Sequence, residues 1–135
     1  MESPYPPFSA ESVQKMLAFL PAFERGDYRQ VHDSYLQSGV YAQQVEDLIA
    51  TVYSSGFVYP FDWPHWEEVR SMKPEDAARA DMLTLRKLMT AFVRNDRFCG
   101  GAMADKCAHG WIEAILRRLQ VLAGELGQIK QPDVD

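Results

Sequence analysis

Four stretches of this sequence set apolar residues three and four positions apart, which puts them on one face of a 3.6-residue helical period, and little in the chain alternates as a strand does. Val13, Met16, Leu17 and Leu20 form the first stripe, behind Ser9, a residue whose hydroxyl can cap the first free N–H groups; Gly26 comes shortly after its end. Val45, Leu48, Ile49, Val52 and Tyr53 form the second, from about Ala42 to Ser55, with Gly56 able to take the left-handed conformation of a C-terminal cap. The third runs from a cap at Asp81 through Leu85, Leu88, Met89, Phe92 and Val93 to Arg97 or Phe98, where Gly100-Gly101 must end it. A short helix from Ala102 to Ala108 and a turn at His109-Gly110 lead to the last stripe, Ile112, Ile115, Leu116, Leu119 and Leu122. The expected fold is all-α, a single compact domain of four to six helices with short connectors.

What lies between the stripes sets the boundaries. Three of the eight prolines fall between Pro4 and Phe8, so residues 1–8 are expected as an extended arm, 9–127 as the helical domain and 128–135 as a frayed tail. The stretch from Asp27 to Gly39 gives a mixed signal: Tyr28, Val31 and Tyr35 suit a poor helix, while Val40 and Tyr41 suit a short extended piece. Residues 57–66 are a dense aromatic connector, in which Asp62 is placed to cap a short helix carrying Trp63, Trp66 and Val69 with Pro64 in its first turn. Lys73-Pro74-Glu75 restarts the chain with acidic residues where they complement a helix dipole.

With 135 residues the chain is long enough to hide a core without staples. No apolar run approaches membrane-spanning length and no signal segment opens the chain, so a cytoplasmic protein with no membrane contact is expected. Cys99 and Cys107 are then read as reduced, small hydrophobes. The net charge of −5 argues against polyanion binding by the whole molecule. It is unevenly spread: residues 86–118 hold seven basic and three acidic side chains, a local +4, and the rest of the chain carries −9.

Several of these residues together have a familiar look. Gly56-Phe57, Pro60-Phe61-Asp62-Trp63 and Trp66, then Leu85-Arg86-Lys87-Leu88, Arg94, Asp96-Arg97-Phe98-Cys99 and Gly101, and finally Gly110 with Ile115-Leu116-Arg117-Arg118-Leu119, resemble a prokaryotic family catalogued as domain of unknown function 6508. The resemblance spans the chain from the first helix to the last. It implies a small prokaryotic single-domain protein and supplies no catalytic residue, cofactor or substrate.

The candidate site therefore rests on side chains. Arg86, Arg94 and Arg97 share a stripe with Thr90 on the third long helix, and a row of planar guanidinium forks can grip a phosphate or carboxylate. The structural alternative has Arg94 or Arg97 bridging to Asp62, Asp96 or Asp105 to pin the connector. Trp63 and Trp66, with His65 between them, can line a ligand pocket or simply join the core. Cys99, Cys107 and His109 have no common zinc spacing, and a Cys99–His109 dyad would need the short helix to fold back. Nucleotide, zinc-protease and hydrolase signatures are absent, so no cofactor and no metal is expected. The helix pair around Gly110 resembles a helix-turn-helix only superficially, because Trp111, Glu113 and Ala114 occupy its reading end. The leading expectation is a non-enzymatic binding or regulatory module for an acidic protein surface or a small phosphate or carboxylate ligand, with Arg86, Arg94, Arg97, Trp63, Trp66 and His65 at the site. Alternatives are a small enzyme with a pocket between the connector and the third long helix, a weak nucleic-acid binder, and a homodimer joined through an aromatic face.

Overall fold

The computed structural model describes residues 7–26 and 43–125. Most of the extended arm, the mixed segment from Asp27 to Gly39 and the frayed tail lie outside the described residues. Among those described there are six α-helices, three 3-10 segments and no strand, so the chain is all-α.

The first stripe folds as two helices rather than one. α1 (Ala10–Leu17) starts at Ser9, whose Oγ accepts from the Ser12 N–H while Ser12 Oγ accepts from the Ser9 N–H, and α2 (Leu20–Glu24) follows after a two-residue break. Pro21 explains the break: it has no N–H to donate, and its ring crowds the carbonyl four residues back, at Leu17. The stripe still points to one core, since Val13, Met16, Leu20 and Phe23 are all buried.

α3 (Gln43–Ser54) buries Val45, Leu48 and Val52. It ends at Gly56, whose φ of 84° belongs to the left-handed region. The Gly56 N–H donates to Tyr53 O at 3.3 Å and the Val58 N–H reaches Val52 O at 3.0 Å, turning the chain sharply. Inside this corner, Ser12 Oγ donates to Ser55 O, fastening α1 to the end of α3.

The short helix expected behind Asp62 is a 3-10 helix of three residues, Trp63–His65, with Pro64 in its first turn; Trp66 lies just past its end and Val69 falls in a second 3-10 segment, Glu68–Ser71, followed by a third, Pro74–Arg79. Asp62 has ψ near 70°, not the extended geometry of a side-chain cap, and its carboxylate bonds the His65 ring at 2.8 Å instead. α4 (Met82–Asp96) then starts as expected at Asp81, whose Oδ1 accepts from the Thr84 N–H at 2.8 Å. α5 (Ala102–Ala108) and α6 (Trp111–Glu125) follow glycines at 101 and 110 with positive φ.

α6 is the hub of the packing. It contacts α1, α2, α4, α5 and the Pro74–Arg79 segment, burying Ile112, Ile115, Leu116, Leu119 and Ala123. Arg118 Nε donates to Ala80 O at 2.8 Å, tying this hub to the start of α4. Replacing the cap of α4, Asp81→Ala, is expected to cost about 1 kcal/mol in chemical denaturation. The hydrogen bonds from Thr84 hold the Asp81 carboxyl below its ordinary value of 3.8. Its contribution is therefore present above that pH and lost as the pH falls below it, so wild type and variant should converge in acid.

Candidate functional site

Arg86 departs from the expected anion-gripping row. Its Nε donates to Phe57 O at 3.0 Å, and its Nη2 donates to Gly56 O at 3.2 Å and Val58 O at 3.1 Å. The guanidinium also lies 4.3 Å from the centroid of the Phe8 ring and 5.3 Å from that of Tyr59. One turn on, buried Thr90 accepts from the Tyr59 N–H at 2.9 Å through Oγ1. Burial lowers the Arg86 pKa, and the neighbouring Tyr59 opposes that shift. Two members of the stripe thus hold the corner after α3. The connector is pinned by Arg86 on backbone carbonyls, whereas spacing had suggested Arg94 or Arg97 on carboxylates.

Arg94 and Arg97 flank a single ring, with guanidinium carbons 5.8 Å and 5.2 Å from the Tyr53 centroid. Asp62 is bonded to His65, Asp105 to His109, and Asp96 accepts from the Met103 N–H at 2.9 Å. The last part of the stripe meets α3 through Tyr53.

The adjoining face of α4 carries a different feature. Ala91, Phe92 and Asn95 line an open groove of about 400 Å³, bounded by the connector, α5 and the start of α6. Trp63, Trp66 and Trp111, all the tryptophans of the chain, line it. Phe92 meets Trp111 edge-on at 5.3 Å, and Trp66 meets Phe61 edge-on at 5.5 Å. Trp63 lies against Phe98, which is 77% exposed, at 6.1 Å. The connector is thus divided: Phe57 and Val58 enter the core, while half-buried Trp63 and Trp66 line the groove.

The groove sits between the connector and the third long helix, where the enzyme alternative placed a pocket. The charged and amide side chains that line it are Arg70, Lys106 and Asn95; Arg86, Arg94, Arg97, His65, His109 and Cys99 do not line it. The expected union of arginine row and tryptophan pair is therefore not built. Lys106, whose Nζ lies 5.0 Å from the Phe92 centroid, occupies the cationic position instead. Sequence reasoning missed Arg70, Asn95, Lys106 and, as a groove residue, Trp111. The available signal was Trp111 directly after Gly110, at the start of a helix that had to approach α4.

The groups capable of proton or thiol chemistry are dispersed. His65 is 82% exposed and bonded to Asp62; His109 Nδ1 lies 2.8 Å from Asp105 O and 3.2 Å from Asp105 Oδ1. Cys99 and His109 flank opposite ends of α5, whose seven residues rise about 10 Å, so the short helix does not fold them together. Among the described residues no three metal-ligating side chains cluster. At the helix pair around Gly110, Trp111 and Ile112 are buried, so the start of the second helix faces the protein interior.

With this geometry in place, a family model described as "Family of unknown function (DUF6508)" matches residues 8–125. The chain belongs to this family. No curated protein and no solved structure matches it. Among the described residues no helix is long and apolar enough to cross a membrane.

Two outcomes follow from the placements. Arg86→Ala should cost about 2–4 kcal/mol, because carbonyls at a buried corner lose a charged donor, and Arg86→Lys should recover less than half, since an ammonium lacks the fork; urea melts check both. Burial, with a smaller contribution from Asp96, pushes the Cys107 thiol up to about 12. At pH 8 exposed Cys99 should react promptly with a disulfide reagent, and Cys107 only on unfolding. Because the folded thiol keeps its proton where the unfolded one ionises, this group's contribution is intact below pH 9.0 and lost as the pH rises toward about 12.

Proposed function

We propose that this chain is a small non-enzymatic binding module with a regulatory role inside the cell, that its receptor is the tryptophan groove, and that its partner presents a carboxylate or phosphate. The observation that carries this reading is the composition of the groove wall. Three tryptophans and Phe92 supply apolar area, Arg70 and Lys106 supply positive charge, and no acidic residue lines the wall in a chain with nineteen of them. Such a mixture of flat apolar surface and a few convergent polar groups is what ligand sites are made of, and about 400 Å³ is within their usual size range.

The reading keeps the acidic partner suggested by the basic middle of the chain and moves its site from the arginine row to the neighbouring face of α4. Arg86 is committed to backbone carbonyls, and drawing it onto a ligand would open the corner after α3. Catalysis has less support, because His65 and His109 are each held by a carboxylate within their own turn and neither enters the groove.

Since every tryptophan lines the groove, intrinsic fluorescence reports on it without a label. A panel of aromatic acids, organic phosphates and acidic peptides should contain members that produce a saturable change. Trp63→Ala should weaken that binding by about tenfold, and an Arg94→Ala/Arg97→Ala variant should leave it intact. Partners bound equally well by Trp63→Ala, and lost in the double arginine variant, would return the site to the arginine row.

A further inference from the structure

The groove also constrains the chemistry of what enters it. Four aromatic residues line it, Trp63 and Trp66 from the connector, Phe92 from α4 and Trp111 from α6, beside Pro64, Val69, Met72 and Ala91. Planar surfaces of this kind reward a planar guest, through stacking that an aliphatic chain of equal area does not gain. The volume of about 400 Å³ is near the lower end for ligand sites, which favours one or two fused rings over an extended polymer.

Charge narrows the guest further. Lys106 and Arg70 both line the groove, and neither has a carboxylate partner among the described residues, whereas Arg79 is paired with Asp76 and Arg117 with Glu113. The ammonium of half-buried Lys106 rests over the Phe92 ring, a weaker companion than a carboxylate in the same surroundings. Beyond these two cations, a dianion gains no helix N-terminus here. The N-terminus of α5, the nearby source of free backbone N–H groups, already has its Met103 N–H bonded to the Asp96 carboxylate, which repels a second anion there.

Resting on the groove as the receptor, we infer that its ligand is a small planar aromatic carboxylate, its ring among Trp63, Trp66 and Trp111 and its single negative charge on Lys106 with Arg70 at the rim. Asn95 also lines the groove and offers an amide. Lys106 acts as the anchor, and the three indoles set the preference for a flat ring.

Calorimetric titration of the full chain with naphthalene-2-carboxylate, its neutral carboxamide and 2-naphthyl phosphate tests this. The carboxylate should bind at least about tenfold tighter than the carboxamide and no weaker than the phosphate, and Lys106→Met, which keeps the stem over Phe92, should bring it down to the carboxamide's level. Should Lys106→Met fail to fold, the acid-to-amide ratio in the unaltered chain and its decline with added salt decide the matter. Equal binding of acid and amide, both lost in Trp63→Ala, overturns the carboxylate assignment and leaves the groove as receptor. A clear preference for the phosphate overturns the single-charge assignment, and no saturable heat from the carboxylate at ~1 mM overturns the ligand class. Binding as tight in Trp63→Ala as in the unaltered chain overturns the groove itself.

Discussion

One guanidinium makes three of the hydrogen bonds that hold the corner after α3. Arg86 reaches across from the first turns of α4 and donates to three successive carbonyls, Gly56, Phe57 and Val58, which a left-handed turn has pointed in a common direction. Arginine can do this because its planar fork presents several N–H groups at fixed angles, and its weak hydration makes partial burial tolerable. Phe8 covers one face of the fork and packs on Phe57, so the beginning of the described chain is recruited to the same corner. Four elements meet there: the segment entering α1, α1 through Ser12, the end of α3, and α4.

Most of what is distinctive about the rest of the molecule depends on that clamp. Once Val58 is fixed at the core, the connector runs along α4, and its next aromatic residues, Tyr59, Phe61, Trp63 and Trp66, are all half-buried. Lys87, the neighbour of Arg86, meets Phe61 and Trp66 at 5.4 Å and 5.9 Å and guides the chain over the helix. Trp63 and Trp66 then arrive opposite Ala91 and Asn95, and α6 brings Trp111 from the other side. The groove is the space left where a 3-10 connector, which cannot present a continuous ridge, meets a regular helix.

Legibility in the sequence follows the range of the interaction. Helical periodicity and caps are local, so the stripes led by Val45 and Leu85, the Asp81 cap and the glycine turns at 101 and 110 were readable. The division of the first helix was also readable in principle, because Pro21 carries the reason in its own ring, but the apolar spacing from Val13 to Leu20 outweighed it. Asp62 misled in the opposite way: aspartate before an aromatic run signals a cap, and its carboxylate found His65 three residues on. The role of Arg86 was not readable, since its acceptors are backbone atoms 28 to 30 positions away and backbone has no sequence signature. The same applies to Lys106 and Trp111, which become groove residues only when α5 and α6 pack against α4.

An arginine row on an exposed-looking helix face invites a ligand in the reader's mind, but the physical test is where each charge spends its hydrogen bonds. Arg86 spends them on carbonyls, so removing it from the corner would cost more than a surface phosphate could return. Lys106 spends nothing comparable, because a ring offers attraction without a directed acceptor. In a chain of net charge −5, cations normally find carboxylates at the surface. A groove that gathers two cations and no acid keeps a local potential opposed to the molecule's own field, and that opposition favours a small anion able to leave water and stack over a large one that must also face the acidic remainder of the surface.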